Sequence, residues 1–364
     1  MSTLLEYECP CCGGKIEFDS ASQQMKCPFC DTMFELETLK EYGGVMNETQ
    51  QEAMTWDVTP GGEWQEGETA GMSVYTCNSC GGEIVADQTT GATSCPYCDS
   101  PVVMTGQFGG DLRPDYVIPF KLDKQAAMDA LKKHLEGKFL LPAAFKDENH
   151  IDDIKCIYVP FWMFDADAKG SFAYKATKVR RWEDSSYNYV ETKHYSVLRA
   201  GSLSFEHIPV DGSSKMPDDL MESIEPFNFA EVKDFNTAYL SGYLADKYDV
   251  SAEDSIDRAN TRVKESMRDE FLRTVTGYTT VIQQRESIAL SNGKARYVLC
   301  PVWVLNTSWN GENFLFAMNG QTGKFVGNLP VDMGKFWRFL MLFCVAFGAV
   351  GAGIAILLQL MGII

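Results

Sequence analysis

The most pronounced hydrophobic pattern lies near the C-terminal end, where 26 consecutive residues carry no charge and a single amide. They run from Phe339 to Ile364 and read FLMLFCVAFGAVGAGIAILLQLMGII. As a helix with ~1.5 Å rise per residue, this run is roughly 39 Å long, and a hydrocarbon core is about 30 Å thick. Because Lys335 and Arg338 precede the run, the positive-inside rule places the bulk of the chain on the cytoplasmic side. The sequence therefore predicts a single-pass protein of the cell membrane with a tail anchor at residues 336–364.

Residues 111–332 alternate between helix-like and strand-like patterns. The segment DKQAAMDALKKHLEG has apolar residues every fourth position, which predicts an amphipathic helix. A second helix is predicted for SAEDSIDRANTRVKESMRDEFLRT, with Ser251 and Asp254 as a capping pair, and a third for AYLSGYLADKYD. The remainder is rich in Tyr, Val, Phe and Thr and is typical of strands, so we expect an α+β body. The apolar faces of the first two helices are Ala127, Leu131 and Leu135, and Ile256, Ala259, Val263, Met267 and Phe271.

The body contains a candidate internal duplication with an offset of 141 residues. YVPFWMFDADAKGSFAYKA, from Tyr158, matches LCPVWVLNTSWNGENFLFAMN, from Leu299. Each copy is predicted to form a strand, a turn at its glycine and a second strand, and two unrelated hairpins with a shared Pro-x-Trp remain the alternative. The matched residues are Pro160, Trp162 and Gly170, and Pro301, Trp303 and Gly311.

A stronger repeat, with an offset of 68 residues, lies in the first hundred positions. Residues 9–31 and 77–99 share two C-x-x-C pairs, a 14-residue spacer, a Gly-Gly after the first pair and a C-P-aromatic-C at the second. The two copies define modules at 1–35 and 75–106. The polar, acidic and glycine-rich segment between them, residues 36–74, is interpreted as a flexible linker, in which Trp56 and Trp64 either dock on a partner or pack locally.

The cysteine spacing predicts two structural zinc ions. Zinc prefers a tetrahedron of thiolates, and a two-residue spacer allows a tight turn to direct both sulfurs at one point. A four-thiolate site has no open coordination position, so we expect these metals to hold the fold and not to activate water. A redox C-x-x-C is the rival interpretation, but it is typically single and begins a helix. The predicted ligands are Cys9, Cys12, Cys27 and Cys30, and Cys77, Cys80, Cys95 and Cys98; Cys11 aligns with Ser79 and is not counted as a ligand.

The charge distribution disfavours nucleic acid as a partner. Residues 1–100 have three Lys, no Arg and 17 Asp or Glu, which gives −14 of the total −18. A nucleic-acid-binding surface is expected to be basic.

The sequence also offers no catalytic constellation. The segment NGQTGK at 319–324 has the wrong spacing for a phosphate-binding loop and is interpreted as a hairpin turn. Asp165 and Asp167 alternate on a strand; a carboxylate pair and solvent-facing residues opposite the Trp162 face explain them equally well. We therefore expect the protein not to be an enzyme. The histidines have no metal-binding spacing and occur at positions 134, 150, 194 and 207.

Several body segments resemble a bacterial family of membrane-anchored, TFIIB-type zinc-ribbon proteins, the YdjG-like proteins. They include YVPFWMFDA, IPVDGSSKMPDDLMESIEPFNF, AYLSGYLADKYDV and FAMNGQTGKFVGNLP. Members are often labelled PriA-helicase-like, but the sequence has no helicase motor motif. The resemblance implies an association with a PspA-type phage-shock system and hence an adaptor role in the envelope-stress response.

Together these patterns predict a multidomain protein with two small four-cysteine zinc ribbons, an α+β body and one C-terminal transmembrane helix. The leading hypothesis is a membrane-anchored scaffold whose ribbons dock cytoplasmic or membrane protein partners, the resemblance pointing to a PspA-type system. The alternative is a zinc-ribbon protein that binds nucleic acid in replication or transcription. Small residues in the apolar C-terminal run would allow two such helices to pack closely, which is compatible with a homo-oligomer.

Overall fold

The computed structural model describes residues 9–12, 14–40, 56–87, 94–107, 112–142, 145, 154–309 and 312–361. Contacts divide the chain into two compact units. Unit 1 contains the described residues of Met1–Thr59, Trp162–Val210 and Ala252–Arg296, and unit 2 contains those of Pro60–Phe161, Asp211–Ser251 and Tyr297–Ile364.

The described residues form fourteen strands and four α-helices of more than five residues. The strands are β1 (Glu17–Asp19), β2 (Gln24–Lys26), β3 (Met33–Phe34), β4 (Met72–Cys77), β5 (Glu83–Asp87), β6 (Val102–Gln107), β7 (Tyr116–Val117), β8 (Lys155–Glu183), β9 (Asn188–Asp211), β10 (Lys233–Asp234), β11 (Leu244–Asp246), β12 (Thr280–Trp309), β13 (Glu312–Asn319) and β14 (Phe325–Gly327). The helices are α1 (Lys124–Leu135), α2 (Asp218–Ser223), α3 (Ile256–Arg273) and α4 (Met333–Leu360). This composition confirms an α+β body with a large sheet.

Unit 1 contains the first cysteine module and parts of the long strands. Strands β1, β2 and β3 form a separate antiparallel sheet, followed by a helical turn at residues 36–40. The parts of β8, β9 and β12 that belong to this unit pack against α3. The core comprises Ala168, Phe172, Tyr174, Ala176, Val197, Val263, Met267 and Val275.

The predicted turn at Gly170 is wrong, because β8 continues through it without a break. The glycine allows α3 to approach closely, since a Cβ atom at this position would lie 2.7 Å from Met267 Cε. In the second candidate copy, Trp309 pairs with Glu312 across an antiparallel hairpin, and Gly311 itself lies outside the described residues. The two segments therefore differ in architecture, and unrelated segments that share a Pro-x-Trp are the better interpretation.

Unit 2 contains the second cysteine module as part of a larger sheet. The strand order is β10-β7-β12-β8-β11-β5-β4-β6, with β13 and β14 continuing from β12. Helix α1 covers β12 and β13 with the predicted residues Ala127, Leu131 and Leu135, and the Asp123 side chain caps its N-terminus. The predicted hairpin turn at 319–324 is confirmed, because β13 and β14 pair directly across it.

Two details of the helix predictions are wrong. Helix α3 begins only at Ile256 and has Ser255 as its N-cap residue, so Ser251 and Asp254 precede the cap position that was predicted for them. The segment 238–249 forms a short 3₁₀ turn and then strand β11. Gly242 has a φ of +83°, which ends the helical turn, and β11 then pairs with β5 and β8. Pairing with two neighbouring strands outweighs the local helical pattern.

The described part of the predicted linker is packed. The Trp56 ring lies edge-on against Phe164 at 5.1 Å between centroids, and its Nε1 donates to Asn260 Oδ1 at 3.1 Å. Trp64 contacts Phe235 in the same way within unit 2, at 5.8 Å. Both indoles therefore pack locally, which was one of the two predicted alternatives. An indole buries a large apolar area once its N–H has a hydrogen-bond partner. Residues 41–55 lie outside the described part, and the remaining domain boundaries stay predictions.

Helix α4 is the predicted C-terminal apolar helix. Residues Met333–Leu357 are long and apolar enough to cross a membrane, and they are exposed along the length of the helix. The Asp332 side chain accepts from Lys335 N at 3.0 Å and caps the first turn. A carboxylate here also complements the positive end of the helix dipole.

Candidate metal centres

Each cysteine module brings its four predicted ligands to one point. All four sulfurs of each set lie within 4.8 Å of one another. In the first module, Cys9 Sγ lies 3.6 Å from Cys30 Sγ, and Cys12 Sγ lies 3.5 Å from Cys27 Sγ. In the second module the equivalent pairs, Cys77 with Cys98 and Cys80 with Cys95, are 3.5 and 3.6 Å apart.

These spacings fit a tetrahedral zinc ion and not a pair of disulfides. A disulfide bond is ~2.05 Å long, well below the observed separations. Four sulfurs at ~2.3 Å from a central zinc are roughly 3.8 Å apart, close to the shortest separations found. The two groups can thus each hold a metal ion, and zinc as the identity of the ion stays a prediction that this geometry fits. A closed set of thiolates would supply structural stability and would leave no coordination position for a substrate.

Backbone hydrogen bonds shape the knuckles identically in the two modules. The first cysteine donates to the second glycine of Gly-Gly, from Cys9 N to Gly14 O and from Cys77 N to Gly82 O. After the last cysteine an aspartate adopts a positive φ, 55° at Asp31 and 59° at Asp99. This left-handed conformation, which Asp tolerates better than most residues, turns the chain around the site.

In each module the second glycine of the Gly-Gly pair packs against the aromatic residue of the second knuckle. A Cβ atom on Gly14 would lie 2.4 Å from the Phe29 ring, and one on Gly82 would lie 3.2 Å from the Tyr97 ring. The aromatic residue of the second knuckle thus rests on the glycine of the first. A side chain at the glycine position would require the aromatic ring of the second knuckle to move.

The predicted site residues did not include a hydroxyl group that follows the last cysteine of each module by two residues. The Thr32 hydroxyl lies 3.2 Å from Cys30 Sγ and lowers the pKa of that thiol to about 6. At Cys98 burial raises the pKa, but the Ser100 side chain and amide outweigh it, and the pKa also falls to about 6. In each centre the pKa of the last cysteine is thus lowered, which favours the thiolate form that binds metal. The sequence repeat indicates these hydroxyl groups, because Thr32 and Ser100 are also separated by the offset of 68 residues.

Cys11 takes no part in either set of four sulfurs, in agreement with its exclusion as a ligand. Its side chain is buried against Cys9, Cys27, Ile16 and Phe34 in a small apolar cluster. Burial raises the pKa of its thiol. Cys11 therefore contributes to the core of the first module.

The second module is fastened to unit 2 by side chains distant in sequence. Lys155 Nζ donates to Ser94 Oγ at 2.7 Å, to Asp99 Oδ1 at 2.5 Å and to the Cys95 carbonyl at 3.2 Å. Asn306 Nδ2 donates to the Tyr97 carbonyl at 2.7 Å. Strand β11 pairs with β5, so the module continues the sheet. This metal centre is part of the core of unit 2.

A buried carboxylate adjoins this contact. Asp246, on β11, accepts from Ser213 Oγ at 2.5 Å, and burial raises its pKa to about 7. Burial of the Tyr97 phenol, together with the nearby Asp246 carboxylate, raises the pKa of Tyr97. The adjoining cavity has a volume of about 20 Å³, enough for a water molecule. Asp246 was not singled out in the sequence, because a single Asp in a short apolar strand carries no motif.

The other polar candidates from the sequence have structural partners. Asp165 accepts from His207 N, and Asp167 accepts from Ser204 Oγ and Asn292 Nδ2, so neither forms a carboxylate pair. His134 lies beside Lys138, and burial lowers the pKa of its ring. His194 is exposed, and His150 lies outside the described residues.

The fold and the two centres define a class of protein: two four-cysteine ribbons, an α+β body and a C-terminal helix suited to a membrane. The chain is 32% identical over 332 residues to the uncharacterized protein YdjG of Bacillus subtilis (strain 168), and the match covers 91% of this chain and 92% of that protein. The chain therefore belongs to the YdjG family. No protein-family model matches it. No solved structure matches it either.

Proposed function

We propose that the protein is a non-enzymatic, membrane-anchored adaptor. In this proposal the first module and the helical turn that follows it, together residues 9–40, bind a partner protein. The second module stabilises the body, and α4 holds both at the cytoplasmic face of the membrane. The second role follows from the contacts of the second centre described above. The first role depends on a difference between the two copies.

The difference lies at the aromatic residue of the second knuckle. Tyr97 is only 8% exposed, whereas the equivalent Phe29 is 75% exposed. A second pair of equivalent positions shows the same contrast, because Ala86 on β5 is buried whereas Phe18 on β1 is 59% exposed. Two large apolar side chains on a small metal-stiffened module are costly in water unless a partner covers them. This contrast is the observation that carries the proposal.

Charge indicates the chemistry of the partner. The described part of residues 9–40 contains five carboxylates and three lysines, and a zinc ion with four thiolates adds a net −2. An apolar pocket with a basic rim would complement Phe29 within this acidic surface. Partner proteins are thus favoured over nucleic acid. The family resemblance makes PspA-type stress proteins the first candidates and an envelope-stress response the setting.

The test compares two exposed apolar residues, one in each module. The full chain is reconstituted into vesicles, and co-sedimentation of a purified PspA-type protein is measured for Phe29→Ser and for Met104→Ser, where Met104 is 61% exposed on β6. We expect Phe29→Ser to weaken binding by about 30-fold, the equivalent of a 2 kcal/mol hot spot, and Met104→Ser to leave it unchanged. Both variants should retain two metal ions per chain. Equal binding by both variants and the unmodified chain would refute the role of the first module.

The nucleic-acid alternative is tested separately. Filter binding of single- and double-stranded DNA is measured at low and moderate salt. Since the first hundred residues carry −14, we expect no salt-sensitive binding. Tight binding that weakens steeply with salt would favour the alternative.

A further inference from the structure

A short loop in unit 2 is fastened to the start of α4. Asp332 N donates to the Leu140 carbonyl at 2.8 Å, and Lys335 Nζ donates to the Leu141 carbonyl at 2.5 Å. Leu141 itself is buried in the core formed by α1, β12 and β13. The loop at residues 138–141 is therefore held between the body and the first turn of the helix.

Phe139, in the same loop, points to solvent beside the apolar part of the helix. Its ring contacts Phe339 at 6.5 Å between centroids, and its side chain is 76% exposed. Phe339 is the first residue of the uncharged run, so Phe139 lies at the level where the hydrophobic surface begins. The exposed Trp337 lies two residues earlier, roughly 3 Å along the helix axis. Aromatic residues at such a level are typical of a membrane–water interface.

The surroundings of Phe139 have the same character. The loop and residues Leu329–Val331 form the sides of an open apolar groove. Lys138 lines this groove, and Arg338 directly precedes Phe339 on α4. Both side chains are cationic and suit anionic headgroups. An apolar surface with a basic border that is continuous with a membrane helix fits the surface of a bilayer.

We propose that the loop at residues 138–141 is a second membrane contact, in which Phe139 enters the headgroup region beside α4. The expected depth is about 5–10 Å, as for interfacial side chains generally. This inference depends on the proposed membrane span but not on the adaptor role. It gives unit 2 two points of attachment to the bilayer, a helix that crosses it and a loop that rests in its surface.

The experiment uses photo-crosslinking to lipid in the full chain. A benzophenone amino acid replaces Phe139, Leu342 or Met104, one at a time, and each protein is reconstituted with phosphatidylethanolamine and phosphatidylglycerol that carry a clickable tag. Leu342 lies within the helix and reports the span. Met104, which is 61% exposed, is an apolar control on β6, five strand steps or roughly 24 Å from β12. Metal content and the melting temperature verify that each variant is folded.

We expect lipid adducts at positions 139 and 342 and at most background at 104. Adducts at 342 without adducts at 139 would overturn the second contact and leave the span intact. No adducts at 342 would overturn both, because the loop has no interface to enter without the span. Equal adducts at 139 and 104 would indicate random encounters with lipid and would likewise overturn the proposal.

Discussion

Loss of metal from the two centres should have unequal effects on the body. The matched perturbations are Cys27→Ser and Cys95→Ser, which remove fully buried ligands at equivalent positions of the two modules. A structural zinc site of this kind contributes an apparent ~10–16 kcal/mol, comparable to or larger than the ~5–15 kcal/mol stability of a domain. Each variant should therefore lose order in its own module. What differs is the structure attached to that module.

The second module contributes directly to the stability of unit 2. Ile84, Val85 and Tyr97 are buried there, and full burial of each such side chain is worth about 1.5–3 kcal/mol. Lys155 would also lose its three acceptors, a charge-assisted contact of about 1.5–3 kcal/mol. A loss of at least ~5 kcal/mol corresponds to a decrease in melting temperature of roughly 10–20 °C for a domain of this size.

The assay is differential scanning calorimetry of the purified full chain, together with the zinc content. We expect Cys95→Ser to retain one metal and to lower the main transition by at least about 10 °C, and Cys27→Ser to retain one metal with the main transition unchanged. Cys11→Ser serves as the control and should retain two metals, because Cys11 is not a ligand. A similar decrease for both ligand variants, or no decrease for Cys95→Ser, would refute the structural role assigned to the second centre.

Two further predictions concern buried positions in the two units. The raised pKa of Asp246 means that the folded state retains a proton that the unfolded state has released, so stability falls as pH rises from about 4 to about 7. In urea unfolding with saturating zinc, Asp246→Asn should gain about 2 kcal/mol relative to the unmodified chain between about pH 5.5 and 7.5, and a constant difference would contradict this assignment. Gly170→Ala should cost about 1–3 kcal/mol, because its Cβ would lie 2.7 Å from Met267 Cε. The cost should decrease in a Met267→Ala background, and an unchanged cost would argue against this contact.

Elements that depend on local pattern were predicted well. Ala127, Leu131 and Leu135 are all buried, as their spacing indicates, and the cysteine spacing selected the residues that meet in space. In each case the information lies within about twenty residues of chain. The hydroxyls of Thr32 and Ser100 belong to the same category, since continuing the repeat by a single residue would have found them.

Elements that depend on distant contacts were not predicted. Strand β11 reads as a helix in isolation and becomes a strand because β5 and β8 lie on either side of it. The unequal exposure of Phe29 and Tyr97 likewise has no local signal. The second module is held to unit 2 by Lys155 and Asn306, which lie 60 and 209 residues away from their acceptors in the sequence.

The repeat also bears on how members of this family can diverge. In the second copy the outer surface packs against the rest of unit 2, so a change at Tyr97 is expected to lower the stability of the fold. If residues 9–40 bind a partner as proposed, the outer surface of the other copy is constrained mainly by recognition, and a change at Phe29 should leave the body intact. Under the same proposal, relatives could acquire new binding preferences through a few substitutions in residues 9–40 without losing stability elsewhere. One copy would then maintain the architecture while the sequence of the other changes.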